Sequence, residues 1–163
     1  AAPAAPAANT ANAPASAGQA PAADAAAPAA ADPAAEEAAY QAALDALVER
    51  FEADESARLF QGFLRDYPAS ALVPNAYYWL GESYYVTQNY ALAADQFRAL
   101  LAQYPTHDKA PGALLKLGLC DYGLGKLPEA ERTLGEVIAK YPGTDVARTA
   151  DDRLRAIQLG RLR

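Results

Sequence analysis

Residues 76–105 read AYYWLGESYYVTQNYALAADQFRALLAQYP, and residues 113–142 read ALLKLGLCDYGLGKLPEAERTLGEVIAKYP. The two stretches register at an offset of 37. Extended to 76–112 and 113–149 they share ten identities, among them Leu80/Leu117, Gly81/Gly118, Tyr85/Tyr122 and Ala93/Ala130. Alanine-rich chains match by chance at alanine, but not at Gly, Tyr and Pro in register. A Tyr-Pro pair marks the end of each unit, at Tyr67-Pro68, Tyr104-Pro105 and Tyr141-Pro142. The same offset aligns Phe60, Phe97 and Leu134, so three units of one repeat lie in tandem.

Each unit reads as two helices. In the middle unit Ala76, Tyr77, Leu80 and Tyr84 recur at helical spacing, which predicts a first helix over about 71–87. Gln88-Asn89 makes a turn. Ala93, Phe97, Leu100, Leu101 and Tyr104 predict a second helix over about 90–103, stopped by Pro105, which has no amide hydrogen and clashes with the preceding turn. The third unit repeats the pattern with Gly125 in its turn. After Pro142, Thr144 is a cap for a last helix along Val146, Ala150, Leu154 and Ile157. Gly81 with Ala93, and Gly118 with Ala130, mark close helix approach. Leu44 and Ser56 take those places in the first unit, which predicts a looser or differently angled pair there. The expected architecture is an all-α solenoid: repeats over about 37–68, 74–105 and 111–142, then a capping helix over about 144–160. A helix pair without a core of its own must stack on the next.

Residues 1–35 differ in kind. They hold 21 Ala and 6 Pro, with no aromatic residue and no Lys or Arg. No proline-free run between those prolines exceeds seven residues, short of the roughly 12–15 that a marginal isolated helix needs. The segment is expected to be a disordered linker reaching about 30–110 Å, with the folded domain over 36–163. The chain begins without Met inside this low-complexity stretch, which reads as a mature piece whose upstream part is missing.

The formal charge is −6, of which Asp24, Asp32, Glu36 and Glu37 supply −4; the remainder carries 14 basic and 16 acidic residues. No basic patch stands out to neutralise phosphates, so nucleic acid is not an expected partner. No apolar stretch approaches the roughly 20 residues of a membrane span. His107 and Cys120 are the only residues of their kinds. His107 falls in an inter-repeat turn, and Cys120 lies in a helix beside Gly118, where a buried structural thiol is expected. Asp54-Glu55 and Asp151-Asp152 read as helix-start or solvated carboxylates. No catalytic residue, metal site or cofactor is expected.

Tyr77 (at a Trp place), Leu80, Gly81, Tyr84, Ala93, Phe97 and Pro105 resemble the tetratricopeptide repeat pattern W-x2-L-G-x2-Y…A-x3-F…P. The third unit follows with Leu114, Leu117, Gly118, Ala130, Leu134 and Pro142, but has Asp121 where Tyr is usual. More narrowly, residues 39–160 are similar to the C-terminal domain of the Tol-Pal-associated YbgF/CpoB family, with AYYWLGESYY the most specific piece. That resemblance implies a periplasmic protein whose trimerising N-terminal coiled coil precedes a low-complexity linker. It also implies binding to TolA and coordination of a bifunctional penicillin-binding protein with outer-membrane constriction during cell division.

First helices line the concave face of such a stack. Their groove side is expected to carry Asn75, Tyr78, Glu82 and Tyr85, continued by Leu115, Leu119 and Tyr122 in the third unit and by Gln41, Asp45, Val48 and Glu49 in the first. Tyrosines beside carboxylates suit a neutral or basic protein segment. The Lys, Arg and Asn with which repeat domains clamp a chaperone's C-terminal carboxylate are replaced at the equivalent places by Gln41, Tyr78 and Leu115, then Asp45, Glu82 and Leu119. Two alternatives remain at this point: a self-associating scaffold, and a repeat domain of an outer-membrane assembly lipoprotein. The latter requires a lipidated Cys near the mature N-terminus, and none occurs there.

Overall fold

The three Tyr-Pro pairs end three helices in the same way. Tyr67, Tyr104 and Tyr141 have φ of −126°, −134° and −126° and ψ of 55°, 56° and 52°, outside the helical region that a following proline disfavours. Each still donates its N–H to the carbonyl four residues back, on Phe63, Leu100 and Val137. The computed structural model describes residues 32–162. They form α1 (Pro33–Val48), α2 (Ala53–Asp66), α3 (Val73–Val86), α4 (Tyr90–Gln103), α5 (Ala110–Gly123), α6 (Leu127–Lys140) and α7 (Asp145–Gly160). This is an all-α tetratricopeptide-like solenoid: α1/α2, α3/α4 and α5/α6 are antiparallel pairs, and α7 caps the last. Each helix packs most heavily on its neighbours in sequence, as a stack of such pairs requires.

Proline also starts helices here. Pro33, Pro74, Pro111 and Pro128 lie in the first turns of α1, α3, α5 and α6, where the missing N–H has no intrahelical partner to lose. This moves one expected boundary. Residues 33–35, assigned above to the linker, are the first turn of α1, because Asp32 Oδ1 accepts from the Ala34 N–H at 3.0 Å and Pro33 follows the cap. Pro33 was read as a helix breaker when it is a helix starter. The rest of the expected linker lies outside the described residues. α7 begins where expected, with the Thr144 hydroxyl accepting from Ala147 N–H at 3.3 Å.

Within each pair, one turn residue takes the left-handed conformation: Phe51 (φ 57°), Gln88 (φ 61°) and Gly125 (φ 73°), at intervals of 37. Only the third uses the residue for which that conformation is unstrained.

The core runs along the stack through Phe60, Phe63 and Leu80, then Phe97 and Leu100, then Leu134, Val137 and Ile157, all almost fully buried. Burying one such side chain contributes about 1.5–3 kcal/mol. The repeat glycines make room for it. A Cβ on Gly81 would lie 2.6 Å from the Phe97 ring, and one on Gly118 would lie 2.9 Å from Leu134. Ala93 and Ala130 are fully buried in the same pairs. The first pair is not loose at the substituted place. Ser56 is completely buried, and its hydroxyl donates to the Ala43 carbonyl of α1 at 2.8 Å, while Ser83 of α3 donates to Ser56 Oγ at 3.1 Å. Hydrogen bonding there replaces the small-residue contact.

Candidate protein-docking face

The first helices come together on one side. α1 touches α3 and α5 touches α7, and among the described residues the second helices make no comparable contact with one another. This first-helix face holds the residues expected to bind, but in three different roles.

The first group is structural. Leu115 is buried and belongs to the core around Leu114, Leu134 and Val137 rather than to a groove. Tyr78 is half-buried at the seam between repeats. Its ring meets Trp79 and Phe97 edge-on at 5.3 and 5.9 Å, and a Cβ on Gly112 would come within 3.2 Å of it. Burial, assisted by the Glu82 carboxylate, raises its hydroxyl to about 12.

The second group forms charged and aromatic bridges. Lys116 of α5 donates to Glu82 of α3 at 2.9 Å, and its Nζ stands 4.5 Å from the Tyr85 ring centroid. Tyr85 also packs edge-on against Tyr90 at 5.4 Å. Arg153 of α7 lies 4.9 Å over Tyr122, and Lys109 lies 4.9 Å from both the Tyr78 and Trp79 rings. Burial raises the Tyr85 hydroxyl as well. These contacts tie neighbouring first helices together and occupy the two lysines that the spacing argument left out of account.

The third group is open. Gln41 and Asp45 are exposed, Gln41 donating to Glu37 at 2.8 Å, while Asn75 and Leu119 are partly covered and Tyr122 is 39 % exposed. Between the ends of α1 and α3 lies a hollow of about 500 Å³ that the spacing argument missed. Leu47, Val48, Phe51, Trp79 and Val86 line it, with Glu82 at its edge. Phe51 is 86 % exposed, Val86 57 % and Val48 46 %. Val48 was placed on the groove side; the others were not. Phe51 lies beyond the end of α1, outside any helical stripe, and Val86 is the last residue of α3, in register with Trp79 and Glu82 on a stripe the sequence reading did not single out. Trp79 was hidden by its neighbour Tyr78: one residue on, it faces α1 and packs against the first core cluster.

Cys120 and His107 lie away from this face. The Cys120 thiol is fully buried, and burial pushes it up to about 12, away from the reactive thiolate. His107 Nδ1 accepts from the Lys109 N–H at 3.0 Å and so shapes a turn. Among the described residues no group of three or more His, Cys, Asp or Glu is placed to hold a metal ion, and no helix is long and apolar enough to cross a membrane.

Two tetratricopeptide repeat profiles match the chain, at residues 74–107 and 112–144. No curated protein matches it by sequence. Among solved structures, the type III secretion translocator chaperone SycD of Yersinia enterocolitica is similar at 19 % identity and a TM-score of 0.66, over 80 % of this chain and 96 % of that one; it is described as an alternative dimer. A second SycD structure, in complex with a peptide of the translocator YopD, aligns equally well over 97 % of its length. The second tetratricopeptide domain of human RPAP3, in complex with the HSP70 peptide SGPTIEEVD, aligns at 19 % identity and a TM-score of 0.62, over 78 % of this chain and 98 % of that one. These likenesses carry the repeat class and not the narrower YbgF/CpoB resemblance. In fold, residues 33–160 are an all-α, tetratricopeptide-like solenoid of three antiparallel helix pairs and a capping helix, and two repeat profiles match its second and third pairs.

Proposed function

We infer that the chain is a protein-docking module that receives a polypeptide segment on its first-helix face. The observation that carries this reading is the apolar hollow lined by Val48, Phe51, Trp79 and Val86 with the Glu82 carboxylate, in which Val48, Phe51 and Val86 stand open to solvent. Stiff aromatic and aliphatic surface next to fixed charge is the composition of an interaction anchor. Two of the similar structures, SycD and RPAP3, hold peptides. The RPAP3 peptide is acidic, whereas here Lys116 is engaged by Glu82 and the one charged open position is Asp45, so the segment suited to this face is neutral or basic.

The resemblance of AYYWLGESYY and its surroundings to the YbgF/CpoB family names the partners we propose: TolA and a bifunctional penicillin-binding protein, in the periplasm. Calorimetry of the whole chain against TolA at low salt tests this. Saturable binding, weakened by Val48→Glu and by Tyr85→Ala with Tyr122→Ala, supports it; absence of binding removes TolA from the proposal.

Self-association is a second reading. Leu159 and Leu162 stand 63 % and 83 % exposed at the end of the stack, and one SycD structure is a dimer. Sedimentation over a range of concentrations tests it directly.

A further inference from the structure

Two surfaces, one between the first and second repeats and one at the end of α7, have no internal partner. The first is the hollow, and Phe51 is its informative residue. It holds the left-handed turn position that the third repeat gives to Gly125, at a cost of about 1–2 kcal/mol for a side chain of this size. Its ring is 86 % exposed and adds almost nothing to the core. The conformation belongs to the turn, since Gln88 and Gly125 share it; what is particular to Phe51 is a large apolar side chain left open to solvent there.

The second surface is the end of α7, with exposed Leu159 and Leu162. Charge separates the two surfaces. Flanking the hollow in sequence, residues 45–55 hold five acidic residues (Asp45, Glu49, Glu52, Asp54, Glu55) against Arg50 alone, a balance of −4, with Glu52 paired to Arg50 and Glu55 to Arg58. Residues 153–163 hold four arginines and no acidic residue, a balance of +4. Arg155 and Arg161 are drawn to Asp151 and Glu131 of their own chain at 2.6 and 2.8 Å, yet their side chains stay 70 % and 48 % exposed.

We propose that the hollow receives the C-terminal apolar-basic end of a second copy of this chain. Leu159 and Leu162 of one copy fill the space among Phe51, Trp79 and Val86 of the next, and the arginines meet Asp45, Glu49 and Glu52. Residues 1–31 are the wrong occupant, because they contain no Lys or Arg. The contact joins unlike surfaces, so every copy keeps one hollow and one tail open, and association propagates head to tail. This inference rests on the self-association reading and assigns its surfaces.

The test uses two altered full-length chains. Phe51→Asp disables the hollow and Leu159→Asp/Leu162→Asp disables the tail; all three positions are exposed, and circular dichroism checks folding. Phe51→Gly, which suits the turn, is the second hollow variant. Each variant alone sediments as a monomer at concentrations where the unmodified chain associates. Mixed in equal amounts, they form a 1:1 pair that grows no further. Trp79, the only tryptophan, shifts its emission to the blue in the copy whose hollow is intact. Raising salt from about 50 to about 500 mM weakens association roughly tenfold or more. A mixture that stays monomeric overturns the proposal. If either variant still associates like the unmodified chain, self-association stands through another surface and this assignment falls. An unmodified chain that stays monomeric to about 1 mM overturns both.

Discussion

Gly81 and Gly135 both lie inside helices, yet alanine has opposite consequences at the two. A Cβ on Gly81 would sit 2.6 Å from the Phe97 ring, whereas nothing stands within 4 Å of one on Gly135. Gly81→Ala is expected to destabilise the fold by about 1–3 kcal/mol, and Gly135→Ala to stabilise it by about 0.5–1 kcal/mol, read from urea midpoints. Equal effects of the two would contradict the close packing assigned to Gly81. Asp121 makes a second residue-level case. It stands where the repeat pattern has Tyr and is buried. Burial raises its carboxyl above the usual 3.8, and Arg98, 3.7 Å away, opposes this. The folded chain then holds this proton more tightly than the unfolded chain. The contribution of Asp121 to stability therefore falls as pH rises from the ordinary carboxylate range through the raised one. Denaturation at pH 4 and pH 7 should show Asp121→Asn gaining on the unmodified chain at the higher pH; a gap constant with pH would refute this. Gly81 was legible because its repeat partner Gly118 matched it. The burial of Asp121 was not, because no other repeat carries a carboxylate there.

At the level of elements, boundaries were legible where a proline ends a helix and where a cap follows such a stop. The Tyr-Pro stops and the Thr144 cap needed no tertiary information, and Thr144→Ala should cost about 1 kcal/mol of stability. The start of α1 was misjudged because proline acts oppositely at the first turn of a helix and in its interior. The turns inside the pairs give a sharper expectation. Gln88 holds a left-handed backbone that Gly125 holds without strain. Gln88→Gly should raise the thermal midpoint by an amount equivalent to about 1 kcal/mol, and a lower midpoint would show that Gln88 has stabilising contacts of its own. The groove positions proved harder to read than the helices. Spacing placed Tyr78 and Leu115 on the same stripe as Asp45, but it could not show which members of a stripe the next helix covers.

Across the whole molecule, stability passes from neighbour to neighbour, and the Glu82–Lys116 pair is one of the links. With side chains only 14 % and 22 % exposed, it connects the second repeat to the third. Lys116→Met should destabilise more than Lys116→Met with Glu82→Gln, because the single change leaves a covered carboxylate without its partner; a coupling of about 1–3 kcal/mol is expected from the double-mutant cycle. Near-additive changes would show the pair to be incidental. The stack was legible as a whole from its period alone, and the hollow was not, since it forms only when the end of one repeat meets the next. The composition of α1 has a mechanical consequence. Its sixteen residues bury one large side chain, Tyr40, with Ala43 and Ala46. Tension entering at Asp32 would therefore meet its weakest resistance first, and α1 should peel off before the remaining helices yield. An optical trap pulling from that end would record a short, low-force extension ahead of the main rupture, so the first repeat would act as a strain gauge for whatever the chain is tied to.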